Sequence, residues 1–342
     1  MSLRIHTARR RLSNHNLSWK EVETAVDNIL TATSDSLGID HNWTFNYHYY
    51  ALRVAPTIVI KAKHRDLPHA VAVKYLHPTG DGGTTAAQSE FATLSDLHSK
   101  LGPEHCSIVT KPFAATRQGY ACEWVHLPSM KTILLTGALS ATRRHKCIEA
   151  AAAKLRLIHN AVSVKSGPLD TNVQVQRLQD AGGYSQAWLS AIETFAALSQ
   201  KLDGRTAPHG PVHADFTPGN ILLGPQRCVI FDFGRHHDNG PTYSDMMYFL
   251  VYVMAYCTFG SSKALQTRID LDIDTFMSAY GDHCAHDRMM MHYFYLAHLL
   301  YRWGRHEAKS QQAGRHFHLR AYDRFSAKRV AQLSADVMRR WF

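Results

Sequence analysis

The sequence predicts an α+β chain of two lobes, a small strand-rich one leading into a larger helical one. Residues 43–76 and 107–125 hold runs rich in β-branched and aromatic residues, and after Pro128 the apolar pattern turns helical. With 342 residues there is room for two such lobes, and 45% hydrophobic with 19% charged residues describes a globular chain.

Residues 19–37, "WKEVETAVDNILTATSDSL", put Val22, Val26, Ile29 and Leu30 on one helical face, and Gly38 ends the helix. The runs "WTFNYHYYALRVA", "TIVIKAK" and "AVAVKYL" read as strands. "TTAAQSEFATLSDLHSKLG" (84–102) reads as a helix with Ala87, Phe91, Leu94 and Leu101 as its apolar stripe. Two more strands are expected in "SIVTKPFAA" and "GYACEWV", and the lobe boundary falls near Trp124–Pro128. Helices are expected over 141–162 and 184–201, a loop at 211, and long helical patterns from 244 onward. The chain thus divides into an N-terminal helical extension (1–40), a strand-rich lobe (41–125) and a helical lobe (126–342).

Composition removes several classes of function. Six cysteines are scattered without a Cys-x-x-Cys pair, as expected of reduced thiols in a cytoplasmic protein. Among 23 histidines, "RHHD" and "HYFYLAH" lack the spacing of a zinc ligand set. The basic N-terminus has no apolar stretch behind it and does not read as a secretory signal. The longest uncharged run, 246–262, is rich in tyrosine and follows Asp245, so a buried helix explains it better than a membrane span. Net charge is +10, with ten Lys/Arg against three acids in residues 300–342. That excess reads as a solvated helix face, or as a surface for acidic molecules that includes peripheral contact with a membrane. No nucleic-acid partner is expected, and the oligomeric state is left open.

The chemistry concentrates in "PVHADFTPGNILL" (211–223). "NILL" and "CVIF" are short apolar strands joined by "GPQR", a hairpin signal. Such a hairpin sets the start of one strand beside the end of the other, which brings Asn220 and Asp232 to one place. An amide oxygen and a carboxylate there suit Mg²⁺, held together with phosphate oxygens and water. Asp215 stands on the loop entering the hairpin, where a carboxylate can orient a hydroxyl and accept its proton. His213 is expected to fix the loop by hydrogen bonds.

"HADFTPGNIL" followed by "IFDFG" resembles the catalytic core of the aminoglycoside phosphotransferase and choline kinase-like family. The resemblance implies a protein-kinase-like two-lobed fold, with a small antiparallel-sheet N-lobe and a larger helical C-lobe. It makes Lys74 in "AVAVKYL" the third-strand lysine that holds phosphates, with Ala72 on the same face leaving room for adenine. It makes Glu90 the helix glutamate that pairs with Lys74, at the edge of the buried stripe. "GYACEWVHLPSM" resembles the hinge strand, which places Glu123 and Val125 at the nucleotide. "GPTYSDMMYFL" resembles the segment in which Asp245 supports the catalytic loop.

The chain departs from the family in four places. No glycine lies between Gly38 and Gly80, so the turn near "RVAPT" would have to cover the phosphates. Ala214 replaces the family's glycine between His and Asp. Asp-Phe-Gly stands where Asp-x-Asp or Asp-x-Glu is usual, and no Ala-Pro-Glu element follows to suit a protein substrate.

The expected function is an ATP-dependent phosphotransferase acting on a hydroxyl of a small molecule, with GTP as the alternative nucleotide. The basic C-terminal region favours an anionic or glycan-linked acceptor, such as a sugar or envelope-glycan intermediate. An aminoglycoside or choline-like amino alcohol is the alternative acceptor. A pseudokinase-type scaffold that binds nucleotide without turnover is the rival class.

Overall fold

A computed structural model describes residues 18–51, 57–76, 82–136, 140–162, 164–257, 262–281 and 288–342. The basic first residues and the turn at 53–56, expected over the phosphates, lie outside the described residues. The chain forms two compact units, Met1–Pro128 with Leu222–His236, and Ser129–Ile221 with His237–Phe342.

In the first unit, helix α1 (Trp19–Leu37) opens on a capping box between Ser18 and Glu21 and closes on Gly38 at φ +65°. The antiparallel sheet runs in the order β1-β2-β3-β5-β4, from β1 (Trp43–Ala51), β2 (Thr57–His64), β3 (Val71–Leu76), β4 (Pro112–Thr116) and β5 (Gly119–Glu123). Strand β3 alternates. Val71, Val73 and Tyr75 bury against Val22, Val26 and Ile29 of α1, while Ala72 and Lys74 point to the opposite face. Helix α1 is therefore a layer of this unit, not an extension standing apart from it. Each large aliphatic side chain so buried contributes about 1.5–3 kcal/mol.

Gly119 lets β3 and β5 approach closely, since a Cβ there would lie 2.3 Å from the Lys74 carbonyl oxygen. Helix α2 (Gly82–His105) breaks at Gly102, φ +65°, ahead of Pro103. Its buried side is Ala87, Glu90, Leu94, Leu97 and Leu101, whereas Phe91, expected on the stripe, is only half-buried. The strand expected over 107–115 begins late, because a 3-10 turn occupies Cys106–Ile108 and Val109 bridges Ile230 in parallel.

The second unit is mainly helical, with α3 (Met130–Thr136), α4 (Ala141–Asn160), α5 (Asn172–Gln179) and α6 (Gln186–Leu202) before the loop. A three-stranded sheet, order β10-β7-β6, holds the loop's entry: β6 (Lys165–Pro168), β7 (Thr206–Val212) and β10 (His237–Pro241). The sequence predicts no strand in these segments, since "KSGP", "TAPHGPV" and "HDNGP" are full of Gly and Pro. The expected hairpin forms as β8 (Ile221–Leu223) and β9 (Cys228–Ile230), with Gly224 N–H donating to Arg227 O at 2.8 Å.

Residues 222–236 group with the first unit, where the sequence reading had placed them in the helical lobe. Three contacts hold them there: the Ile230–Val109 bridge, the Leu223 N–H to Pro128 O bond, and a two-pronged Arg227–Glu123 pair.

Helix α7 (Thr242–Cys257) buries Met246, Met247, Phe249, Leu250 and Val253. It is followed by α8 (Ser262–Tyr280), α9 (Arg288–Gln311) and α10 (Phe317–Trp341). Among the described residues no helix is long and apolar enough to cross a membrane.

Candidate active site

The first unit assembles one constellation. Lys74 Nζ donates to Glu90 Oε1 and Oε2 at 2.7 and 2.8 Å and to Asp232 Oδ1 at 2.6 Å. Glu90 is 4% exposed, in the middle of the buried stripe of α2 and not at its edge as the sequence spacing implied. It is held there by Tyr120, whose hydroxyl donates to Oε1 at 2.9 Å. Burial alone would lower the Lys74 pKa, but Glu90 and Asp232 together raise it, so the ammonium stays charged. Burial raises Glu90, and the like charge of Asp232 adds to that shift.

Two carboxylates surround one ammonium. The most open member of the cluster is Asp232, with 40% of its side chain exposed. Asp232 takes a left-handed backbone, φ +70°, which costs a non-glycine residue about 1–2 kcal/mol. Gly234 follows where a Cβ would lie 3.3 Å from the Glu90 carboxylate, so the third position of Asp-Phe-Gly has little room for a side chain.

Strand β5 ends at Glu123. The Glu123 carboxylate is engaged by Arg227 at 2.6 and 2.7 Å and its N–H by Lys111 O at 2.8 Å. Its carboxylate is thus occupied within the protein. Val125 is half-buried two residues beyond the strand.

The second unit builds the loop. Asp245, in the first turn of α7, is 1% exposed and accepts the N–H groups of His213 at 2.6 Å and Ala214 at 2.9 Å. His159 completes the carboxylate's shell, with Nε2 3.3 Å from Asp245 and Nδ1 2.8 Å from the Tyr280 hydroxyl. The neutral tautomer satisfies both, donating to the carboxylate and accepting from the phenol. His213 is fully buried and accepts the Asp215 N–H at Nδ1, 3.3 Å away. Asn220 Nδ2 donates to Asp215 O at 2.9 Å and to its carboxylate at 3.3 Å, which leaves the amide oxygen for a cation. Ala214 sits at φ +57°, a region that favours glycine. Capture of its own N–H and that of His213 by one buried carboxylate holds that strain in place.

His159, Tyr280, Tyr120 and Arg227 were not singled out by the sequence. His159 left one trace, a polar residue ending the apolar face Ile148–Ala151–Leu155–Ile158 of α4. The others left none.

Burial alone would raise the Asp245 carboxyl, but the bonds from His159 and the His213 N–H hold it below its ordinary value. Asp245→Ala strands these donors, and losing one member of such a buried set costs about 3–5 kcal/mol. A group with a depressed folded pKa stabilises fully above its unfolded value and loses that contribution as the pH falls through the folded one. Thermal unfolding should therefore show a large deficit for the variant at neutral pH that narrows below pH 3.8. A deficit unchanged in acid would contradict this account of Asp245.

The five-stranded antiparallel sheet with its lysine–glutamate pair, and a helical unit carrying His-x-Asp-x4-Asn, define a protein-kinase-like fold. Solved structures share it. Spectinomycin phosphotransferase in complex with ADP and spectinomycin is 14% identical, with 91% of this chain and 98% of that one covered and a TM-score of 0.55. A choline/ethanolamine kinase family protein from Mesorhizobium loti is 11% identical over 89% and 93% of the two chains, with a TM-score of 0.60. Amicoumacin kinase in complex with AMP-PNP and Ca²⁺ is 14% identical over 92% and 96%, with a TM-score of 0.59. At these identities the likeness is one of fold. No curated protein matches the chain.

The sequence itself settles the family. The model of the phosphotransferase enzyme family (APH) matches residues 76–272, more than half of the chain, and the protein belongs to that family.

Proposed function

We propose that this chain is an ATP-dependent kinase that moves the γ-phosphoryl group to a hydroxyl of a small molecule. The observation that carries the reading is Lys74 held between Glu90 and Asp232 at 2.6–2.8 Å. Lys74 would hold the nucleotide phosphates, with Glu90 and Tyr120 fixing its position. Asn220 and Asp232 each offer what a hard cation such as Mg²⁺ would take: Asn220 an amide oxygen, Asp232 a carboxylate with 40% of its side chain exposed. When bound, the ion would neutralise phosphate charge.

Asp215 is the proposed base. Its carboxylate would take the acceptor hydroxyl's proton as the new oxygen–phosphorus bond forms and the bond to the leaving ADP breaks. His213 and Asp245 would keep the Asp215 backbone in place. In this reading catalysis comes from positioning and charge, without a covalent enzyme intermediate.

Thermal unfolding with and without Mg-ATP and Mg-GTP tests it, since a ligand at a hundred times its dissociation constant adds about 2.7 kcal/mol. A rise with Mg-ATP is expected. No rise with either nucleotide at millimolar concentration would sink the reading. The glycine-free stretch between Gly38 and Gly80 favours the scaffold alternative, and nucleotide binding without transfer to any acceptor would establish it.

A further inference from the structure

We propose that the face of α7 running on from Asp245 is the acceptor-recognition wall, and that the acceptor is a hydroxylated molecule carrying a phosphate or carboxylate group. This rests on the reading of Asp215 as the acceptor-orienting base.

Asp245, Tyr248, Tyr252 and Tyr256 recur every three or four residues, which places them on one face of the helix. The row starts where Asp245 grips the N–H groups of His213 and Ala214, next to Asp215. It extends roughly 16 Å at 1.5 Å per residue. The rings of Tyr248 and Tyr252 stand 5.0 Å apart with their hydroxyls at 3.4 Å, and those of Tyr252 and Tyr256 stand 6.1 Å apart. Burial pushes the Tyr256 phenol up to about 12, with Tyr252 and Asp215 adding to it. Tyr248 is raised likewise by burial, then Tyr252 and Asp215, so the field of Asp215 reaches both ends of the row.

Three cations flank these rings. Arg177 lies 5.6 Å from the centre of Tyr248 and 4.5 Å from that of Tyr301, Arg302 lies 4.9 Å from Tyr252, and Lys131 lies 5.5 Å from Tyr256. Among the described residues none of the three has a carboxylate partner, whereas Arg144, Arg227 and Arg315 are each paired with one. A guanidinium resting on a ring face keeps its N–H edge for an oxyanion.

The same arrangement disfavours a cationic acceptor. The ring faces that would cradle an ammonium already carry protein cations, and like charges repel. The hydroxyls of the half-buried Tyr252 and Tyr256 instead suit the hydroxyls of a sugar or polyol.

Isothermal titration calorimetry on the full chain without nucleotide tests the wall. The probes are glucose 6-phosphate and glucuronate, with glucose as neutral control and choline and streptamine as cations. The anionic probes should bind at least about tenfold tighter than glucose and the cations more weakly still, with affinity falling as salt rises. Arg177→Gln and Arg302→Gln should each weaken the anionic probes about tenfold or more, and Arg177→Lys should keep most of the affinity.

Equal or tighter binding of a cation, unchanged affinity in both Gln variants, or binding of no anionic probe at millimolar concentration would overturn the proposal. Mg-nucleotide binding by the same preparations separates the two readings. An anion preference lost with nucleotide binding intact overturns the wall alone. An anion preference present without nucleotide binding overturns the kinase and with it the acceptor role of this face, leaving an anion site alone.

Discussion

Asp215→Asn is expected to lower phosphoryl transfer by about 10²–10⁴-fold, the range typical of a positioned general base. Mg-ATP affinity should stay near that of the parent, because Lys74, Glu90 and Asp232 form their cluster in the other unit. The fold should survive too. The loop is held mainly through the N–H groups of His213 and Ala214 on Asp245 and through the Asn220 amide on the Asp215 carbonyl. Steady-state rates with a competent acceptor and a nucleotide titration measure the two quantities separately. A rate within a few-fold of the parent removes Asp215 from the chemistry.

Asp232→Asn should be as damaging by a different route. It keeps the volume and tolerates the left-handed backbone at φ +70°, since Asn enters that region readily. Lys74 retains both oxygens of Glu90, so the strand and helix stay joined. What disappears is the exposed negative charge proposed to hold the cation. Groups that merely orient a metal's ligands are worth about 10–100-fold, and a direct ligand should cost about 10²-fold or more in rate, partly regained at raised Mg²⁺. Rates at low and high Mg²⁺ decide it. Normal turnover at low Mg²⁺ would rule Asp232 out as a ligand.

The local parts of this site were the legible ones. Strand alternation put Lys74 and Ala72 on one face, and the helical period put Glu90 where it could turn inward. The hairpin followed from two short apolar runs and a Gly-Pro turn. What the sequence hid are contacts between residues far apart in the chain. The Lys74–Asp232 and Arg227–Glu123 bonds join positions 158 and 104 residues apart, and no periodicity connects them. His159 on Asp245 is of the same kind, across 86 residues.

Propensity misled at β7, where two prolines and a glycine suggested loop yet the strand pairs on both sides. Phe91 looked like core by its place on the stripe, but Glu90 takes the buried position in that turn, and Leu97, outside the expected stripe, is buried as well. The departure at Ala214 was visible, while its cost was not until the positive φ explained why glycine suits that position.

The first unit is not contiguous in the chain. It closes only when residues 222–236, made after some ninety residues of the second unit, return to strand β5 and Val109. During synthesis the sheet and α1 emerge first. Until residues 222–236 follow, Lys74 lacks Asp232 and the Glu123 carboxylate lacks Arg227. The order of emergence makes the first unit to begin the last to be completed, since it waits for the Asp-Phe-Gly segment.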